Sequence, residues 1–283
     1  MKRLVLLITL LAGAACGAQN SPTNPTPGGT AAVVYAAIGA SDATGFGGTV
    51  ACIPFVACPD GTGYVQQVER RLRNDGRDVS LTNLGIPAAV LSPELESLGN
   101  SIGRTIPGNF LQREMPFVPR DSTLVTIFAG GNDANVIGGA VEAGLGSPDP
   151  SAYANQLVQN YGRDLRSLIT GIRGRAPAAR IILLNLPNLA ALPYANGYSL
   201  LRRQYLQLIS VGITKQANQL TSEGVTIIDL MCDDAFYDPG IFSSDGFHPN
   251  DRGYTFMADR IYPLATGGGA SAPAASCGRM TIY

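Results

Sequence analysis

The amino-acid sequence predicts an α/β fold of three layers, in which a parallel sheet of five strands lies between two layers of helices. Two observations lead to this prediction. Five short segments, most of them apolar, have the length of strands, and stretches with the length or periodicity of helices separate them. Strands that alternate with helices are joined by right-handed crossovers, and such crossovers make neighbouring strands parallel.

The predicted strands carry the first half of this argument. The first one, residues 32–39 (AVVYAAIG), is continuously apolar and ends in glycine, as expected for a strand that is buried on both faces. The other four predicted strands are residues 78–84, 123–129, 180–186 and 225–230. They are rich in β-branched and other apolar residues, which favour strands.

The predicted helices lie between and after these strands. Residues 63–74 place Val65, Val68 and Leu72 on one helical face, and Asp75-Gly76 ends the pattern. Three further helices are predicted for residues 151–173, 199–223 and 250–262, the last with Asn250 as its N-cap.

Charge and composition narrow the possible classes of function. Charged residues make up 14% of the chain, the net charge is −1, and no basic stripe or arginine-rich aromatic face is present. We therefore expect no nucleic-acid partner. Residues 31–265 are enough for one domain with a sizeable core.

The N-terminal residues are predicted to direct export. A charged start, an apolar run and small residues describe a signal peptide over residues 1–16. Ala15-Cys16 resembles a lipobox, in which Cys16 would be acylated and anchor the protein to a membrane of a bacterial envelope, although Gly13 stands where leucine is commoner. Plain secretion, with cleavage near an alanine, is the alternative. Residues 17–30 are polar and rich in proline and glycine, which predicts a flexible linker.

Four further cysteines are predicted to form two disulfides, because an exported protein meets an oxidising environment. They are Cys52, Cys58, Cys232 and Cys277. No C-x-x-C pair occurs and a lone histidine cannot complete a zinc site, so we expect no structural metal. Of the three possible connectivities we favour Cys52–Cys58 and Cys232–Cys277. The second pair would hold the glycine- and alanine-rich tail, residues 266–283.

Candidate catalytic residues follow the predicted strands. His248 is the only histidine of the chain, and Asp245 precedes it by three residues, near enough to orient its ring. A serine nucleophile needs a base that titrates near neutral pH, and imidazole meets that need. An isolated Asp-x-x-His segment is more often a surface turn. In a parallel sheet, however, ligands bind beyond the carboxyl ends of the strands, where this chain places polar residues and glycines.

Four such segments, taken together, resemble a known family. They are Gly39-Ala-Ser41-Asp, Gly85, Gly130-Gly-Asn132-Asp and Asp245-Gly-Phe-His248. Their order and approximate spacing are those of the SGNH hydrolases, also called GDSL-type esterases and lipases, and the resemblance covers residues 31–265. It implies a flavodoxin-like α/β/α sandwich and a carboxylic ester hydrolase that works through an acyl-enzyme without cofactor or metal.

The resemblance also implies a role for each of five residues. Ser41 would be the nucleophile, His248 its base, and Asp245 the residue that orients the histidine. The backbone N–H groups of Ser41 and Gly85 and the side-chain amide of Asn132 would form the oxyanion hole.

Each of these residues has a structural alternative. Ser41 could be a helix N-cap, and Gly85 and Asn132 could be ordinary turn residues. Three neighbours are expected to support the turns rather than to react: Asp42, Asn83 and Asp133.

Two departures from the family pattern stand in this sequence. The usual Gly-Asp-Ser reads Gly39-Ala40-Ser41, so the supporting bonds of the missing aspartate are in doubt. The glycine often found shortly after Gly85 is absent as well. Neither departure removes a catalytic atom.

The sequence gives only indirect indications of the substrate class. Apolar residues that follow the oxyanion residues or the fourth strand could line an acyl pocket or simply belong to the core: Ile86, Pro87, Val90, Leu91, Val136, Ile137 and residues 187–193. The chain contains no tryptophan for stacking on sugars, which favours esters of lipids or small alcohols over acetyl groups on polysaccharides. An acyltransferase with the same triad and a non-catalytic, surface-binding lipoprotein remain the alternatives.

Overall fold

The computed structural model describes residues 32–283. The predicted signal peptide, Cys16 and the linker at residues 17–30 lie outside the described residues. The described part forms one compact unit. Within it, no helix has the length and apolar character needed to cross a membrane.

Five parallel strands form the central sheet, as predicted. They are β1 (Val33–Gly39), β2 (Val79–Asn83), β3 (Leu124–Phe128), β4 (Arg180–Leu184) and β5 (Thr226–Ile228), in the spatial order β2-β1-β3-β4-β5. After β1 the chain forms β2, which pairs with one edge of β1, and then β3, which pairs with the other edge of β1. Between β1 and β3 lies the switch point at which open α/β sheets bind ligands.

The helices cover both faces of the sheet. They are α1 (Ser41–Thr44), α2 (Tyr64–Asn74), α3 (Pro93–Ser101), α4 (Phe110–Arg113), α5 (Gly131–Glu142), α6 (Pro150–Arg175), α7 (Leu200–Gln219) and α8 (Asp251–Ala265). Helices α2 and α8 pack together on one face, whereas α3, α5, α6 and α7 form the other layer. The three-layer prediction is confirmed.

Short 3₁₀ segments complete the connections. They are Met115–Phe117, Leu189–Ala191, Pro193–Ala195, Leu220–Glu223, Asp234–Tyr237, Pro239–Ile241 and Gly278–Met280.

Each of the four predicted helices is present, and Asn250 caps α8 by accepting hydrogen bonds from the N–H groups of Arg252 and Gly253. Helices α3 and α5 were not predicted. Helix α5 contains Gly131, Gly138 and Gly139 and buries side chains around most of its circumference, so no amphipathic period marks it. Helix α3 does carry a start signal, since Ser92 precedes a proline at its first position.

Both favoured disulfides are present, Cys52–Cys58 and Cys232–Cys277. The second closes a loop with a sequence separation of 45 residues, which on the loop-entropy model stabilises the fold by about 4 kcal/mol. The tail that it holds is also bonded elsewhere. Ala274 donates its N–H to Asp229 at 2.8 Å, and the backbone carbonyl of Arg279 accepts from the Asn188 amide at 2.6 Å.

Candidate active site

Ser41 lies at the end of β1, as the first residue of the short helix α1. The residue that caps this helix is Ala40, so the N-cap alternative for Ser41 is wrong. The Ser41 hydroxyl instead lies 2.8 Å from His248 Nε2, although 207 residues separate the two in sequence. Only 6% of Ser41 is exposed. The tight strand-to-helix turn therefore presents the hydroxyl to one specific partner.

Asp245 bonds the other nitrogen of the imidazole, with 2.6 Å between His248 Nδ1 and Asp245 Oδ2. Asp245 Oδ1 accepts from the backbone N–H groups of Phe247 and His248 and from the Ser243 hydroxyl. Partial burial alone would raise the pKa of Asp245, but these bonds, the one from the His248 ring foremost, lower it to about 2. The ionised carboxylate fixes Nδ1 as the donor, which leaves Nε2 of the neutral ring to accept the Ser41 proton.

The turn that joins Asp245 to His248 requires a glycine. Gly246 has a φ of +70°, and a Cβ at this position would lie 2.6 Å from the backbone nitrogen of Tyr194. Both the left-handed conformation and the close approach exclude a side chain.

Two phenylalanine rings flank the histidine. Phe46 and Phe247 contact the imidazole edge-on, with centroid distances of 4.7 and 4.9 Å. Phe46 is 50% exposed, yet its backbone is held because its N–H donates to the Ser41 carbonyl and its carbonyl accepts from the Tyr254 hydroxyl. Phe46 was missed by the sequence reasoning, because no pattern links an exposed ring to a histidine so far along the chain.

The three candidate oxyanion donors differ in their bonding. The N–H of Ser41 is at the first position of α1, where no intrahelical acceptor exists. The Asn132 amide uses one N–H on the Ala89 carbonyl at 2.9 Å, which keeps the second N–H for another acceptor. The N–H of Gly85 donates to Asn83 Oδ1 at 3.1 Å, so a substrate oxygen would have to share or replace that acceptor.

Asn83 supports these turns, as expected. Its amide nitrogen donates to the Ala43 carbonyl at 2.7 Å, which ties the end of β2 to helix α1. Gly85 lies so close to this helix that a Cβ would come within 2.6 Å of the Ala43 methyl group. The glycine is therefore needed for the close approach of the two segments.

Two further carboxyl groups lie near this site, Asp42, which is half-buried, and Asp133, which is fully buried. Burial raises the pKa of Asp42, and the attraction of His248 opposes that shift. Asp133 Oδ1 accepts the N–H of Leu91 at 2.7 Å, which ties the start of α5 to the segment after Gly85. Burial raises the pKa of Asp133 to about 7, although the N–H groups of Leu91, Asp133 and Gly130 oppose the rise.

Substitution of Asp133 by asparagine is expected to change how stability depends on pH. Because the pKa of Asp133 is higher in the folded chain than its unfolded value of 3.8, the protonated carboxyl stabilises the fold at acid pH, and this stabilisation is lost as the pH rises to about 7. Asparagine stays neutral, so Asp133→Asn should gain up to about 4 kcal/mol of unfolding free energy relative to the parent across that window. Urea unfolding at pH 4 and pH 8, on either side of that window, measures the gain.

The exposed Asp121 offers the control for that experiment. Asp121→Asn removes a carboxylate that is not buried. The free energy of unfolding should therefore differ between the two pH values by as much as it does in the parent. An equal response of both variants would contradict the assignment to burial at Asp133.

A mostly apolar cavity opens beside Asn132. Its wall includes Ala129, Leu186, Pro187, Leu189, Leu192 and Phe247. Of the predicted segment 187–193, Pro187, Leu189 and Leu192 line this cavity. Four of the other apolar residues belong to the core, which is the alternative that the sequence left open: Val90, Leu91, Val136 and Ile137. Within residues 32–283, no group of three or more His, Cys, Asp or Glu side chains could hold a metal ion.

One buried acidic residue near the site has no counterpart in the sequence prediction. Glu114, after α4, accepts the N–H of Gly39 at 2.9 Å, two residues before Ser41. In the sequence Glu114 stands between Arg113 and Met115 without a pattern that distinguishes it from a surface residue.

Comparison with solved structures shows the fold. An extracellular lipase from Streptomyces rimosus has a TM-score of 0.52 at 17% identity, over 84% of this chain and all of that one. The acetyl xylan esterase Axe2 from Geobacillus stearothermophilus has a TM-score of 0.53 at 15% identity, over 88% of this chain and 99% of that one. Phospholipase A1 from Streptomyces albidoflavus has a TM-score of 0.52 at 16% identity, over 84% of this chain and all of that one.

Sequence comparison shows the family. The GDSL lipase Rv0518 of Mycobacterium tuberculosis is 30% identical over 149 residues, which are 52% of this chain and 52% of that protein. The match thus spans about half the length of the curated relative. The model of the GDSL-like lipase/acylhydrolase family matches residues 37–256, more than half of the 283 residues. The predicted family is confirmed: this chain belongs to the GDSL-like lipase/acylhydrolases, a family of ester-cleaving enzymes.

Proposed function

We propose that this protein is a serine ester hydrolase in which Ser41 attacks the carbonyl carbon of a carboxylic ester. The hydrogen-bonded series from Asp245 through His248 to Ser41, with distances of 2.6 and 2.8 Å, is the observation that carries the proposal. Nucleophile, base and orienting carboxylate in that arrangement are what nucleophilic catalysis requires.

In the first half of the reaction, His248 Nε2 takes the proton of the Ser41 hydroxyl while Oγ bonds to the ester carbon. The tetrahedral intermediate then collapses, the bond from carbon to the alcohol oxygen breaks, and that oxygen receives the proton from Nε2. Water repeats the sequence on the acyl-enzyme and releases the carboxylic acid. Asp245 stays ionised throughout and stabilises the imidazolium that forms in each half.

The oxyanion of each intermediate would be held by the N–H groups of Ser41 and Gly85 and by the free N–H of Asn132. An anionic oxygen is a stronger acceptor than the neutral amide oxygen of Asn83. We therefore assign Gly85 a bond that exchanges Asn83 for the oxyanion as charge develops, which would favour the intermediate over the ground state.

For the substrate we propose an ester with apolar groups. The acyl side would enter the cavity formed by residues such as Leu186, Leu189 and Leu192. The leaving alcohol must lie at His248 Nε2, where the exposed ring of Phe46 offers an apolar contact. Both observations favour esters of lipids or small alcohols over acetyl groups on polysaccharides.

A panel of esters tests this function. The protein is expected to hydrolyse p-nitrophenyl butyrate and a monoacylglycerol faster than acetylated xylooligosaccharides, measured as released acid in a pH-stat. Faster deacetylation of the oligosaccharides would overturn the substrate class. Failure of the folded protein to cleave any ester would overturn the activity itself.

We also propose export with acylation at Cys16. The two disulfides support an oxidising compartment, and the sequence around Cys16 supports a lipid anchor. Labelled palmitate should be incorporated in a bacterial host that processes lipoproteins, and it should be absent from Cys16→Ala. A parent protein that takes up no label would indicate plain secretion.

A further inference from the structure

Glu114 is a buried acid that the mechanism above does not use. It follows α4, is fully shielded from solvent, and its Oε2 accepts the N–H of Gly39 at 2.9 Å across 75 residues of sequence. The carbonyl of the same Gly39 accepts the N–H of Ile86 at 3.1 Å. The Glu114 carboxyl is thus bonded to a residue that joins the turn before Ser41 to the segment after Gly85.

This location matters because two oxyanion donors lie on these two segments. Gly39 precedes Ser41 by two residues, and Ile86 directly follows Gly85. The turn has no carboxylate of its own at the position before the nucleophile, since Ala40 stands where the family motif has aspartate. Glu114 brings a carboxyl to this turn from a distant part of the chain.

We propose that Glu114 is a positioning residue for catalysis, which keeps the N–H groups of Ser41 and Gly85 at a fixed separation through its bond to Gly39. The inference rests on the proposed function, because it assigns these two N–H groups to the oxyanion. Glu114 acts through the backbone of these two segments, and the substrate is bound by other residues.

The surroundings of Glu114 indicate that it acts as a neutral acid. Burial raises its pKa well above the usual range, although the N–H groups of Gly39 and Ile86 oppose the rise. Its Oε1 has no hydrogen-bond partner among the described residues, an arrangement that an ionised carboxylate tolerates poorly. The Tyr64 phenol of α2 also interacts with Glu114, and its pKa is raised by burial as well. A neutral carbonyl acceptor at this place should therefore be sufficient.

Three substitutions separate positioning from a merely structural role. Glu114→Gln keeps a neutral carbonyl acceptor of the same reach, Glu114→Asp withdraws the carboxyl by one methylene, and Glu114→Leu removes it. We expect Glu114→Gln to keep kcat within about threefold of the parent. Glu114→Asp and Glu114→Leu should lose about 10-fold to 100-fold in kcat with KM within about twofold, because small misplacements of catalytic groups have effects of this size.

A stability control accompanies the series. Leu72→Ala opens a cavity near the far end of α2 and should lower the melting temperature while leaving kcat unchanged. The measurements are kcat and KM for p-nitrophenyl butyrate at pH 7, with the melting temperature of each variant. A parental kcat in folded Glu114→Asp, or a Glu114→Gln variant as slow as Glu114→Asp, would overturn the proposal.

Failure of the proposed function can be told apart from failure of this inference. If the parent cleaves the ester and Ser41→Ala does not, the function stands and the Glu114 variants are judged on their own kcat values. If Ser41→Ala retains the parental rate, Ser41 is not the nucleophile and the oxyanion assignment is wrong as well. The proposed function then fails independently of the kcat values of the Glu114 variants. Should Glu114→Leu fail to fold, the comparison of Glu114→Gln with Glu114→Asp decides.

Discussion

Substitution of Ser41 by alanine is expected to lower kcat for ester hydrolysis by about 10⁴-fold or more, because the bond-forming oxygen is lost and water must attack unaided. The fold should persist, because the change removes a single oxygen atom and only its hydrogen bond to the side chain of His248. The measurement is kcat for p-nitrophenyl butyrate together with the melting temperature. Intact-protein mass after reaction with a fluorophosphonate should show one adduct in the parent and none in the variant.

Ser122 provides a matched control for that experiment. It is a fully buried serine that precedes the amino end of β3, whereas the catalytic residues follow the carboxyl ends of the strands. Its hydroxyl has no hydrogen-bond partner among the described residues. Ser122→Ala should keep both the parental rate and the adduct. Near-parental turnover by Ser41→Ala would contradict the nucleophile assignment directly.

Substitution of Asn132 by alanine is expected to lower kcat by about 10²-fold to 10³-fold with little change in KM. The reason is that the free N–H of the amide would bond an oxygen that becomes anionic only in the transition state. The fixed orientation of the amide on the Ala89 carbonyl means that this donor needs no rearrangement during the reaction. Steady-state kinetics on one soluble ester separates the two constants.

Asn135 offers the matched control, one turn further along α5. Its amide donates to the Gly131 carbonyl at 3.0 Å and so makes a bond of the same kind, but Asn135 does not line the cavity beside Asn132. Asn135→Ala should change kcat by only a few-fold. If Asn132→Ala raises KM and leaves kcat alone, Asn132 binds substrate in the ground state and is not an oxyanion donor.

Most of the fold could be predicted from local patterns. Four of the five strands were recognisable because burial on both faces leaves short apolar runs such as residues 33–39, and α2 because its apolar residues recur on one face. Strand β2 is only partly buried and carries several polar residues. Helix α5 was not predicted because it is buried on most sides and rich in glycine. Neither an amphipathic periodicity nor a high helix propensity therefore marks it. For Val136 and Ile137 the sequence left open either a pocket wall or the core, and the structure places both in the core.

The site could be predicted only as a set of residues. The motifs named Ser41, Asn132 and His248 without any information on distance, and they allowed Ser41 to be a helix cap. The bond between Gly85 and Asn83, the ring of Phe46 on His248 and the bond between Gly39 and Glu114 had no sequence signal. Each of these contacts joins residues whose types are common in turns and on surfaces.

By itself, then, the sequence determined the fold class, the family and the residues that could react. These properties depend on local periodicity and on residue types at short spacing, which are readable along the chain. Only the tertiary structure decided which polar atoms pair: Ser41 with His248 across 207 residues, and Gly39 with Glu114 across 75. A hydrogen bond depends on distances of tenths of an ångström. Such distances are set by the packing of distant segments at the carboxyl end of the sheet. They cannot be read from the order of residues along the chain.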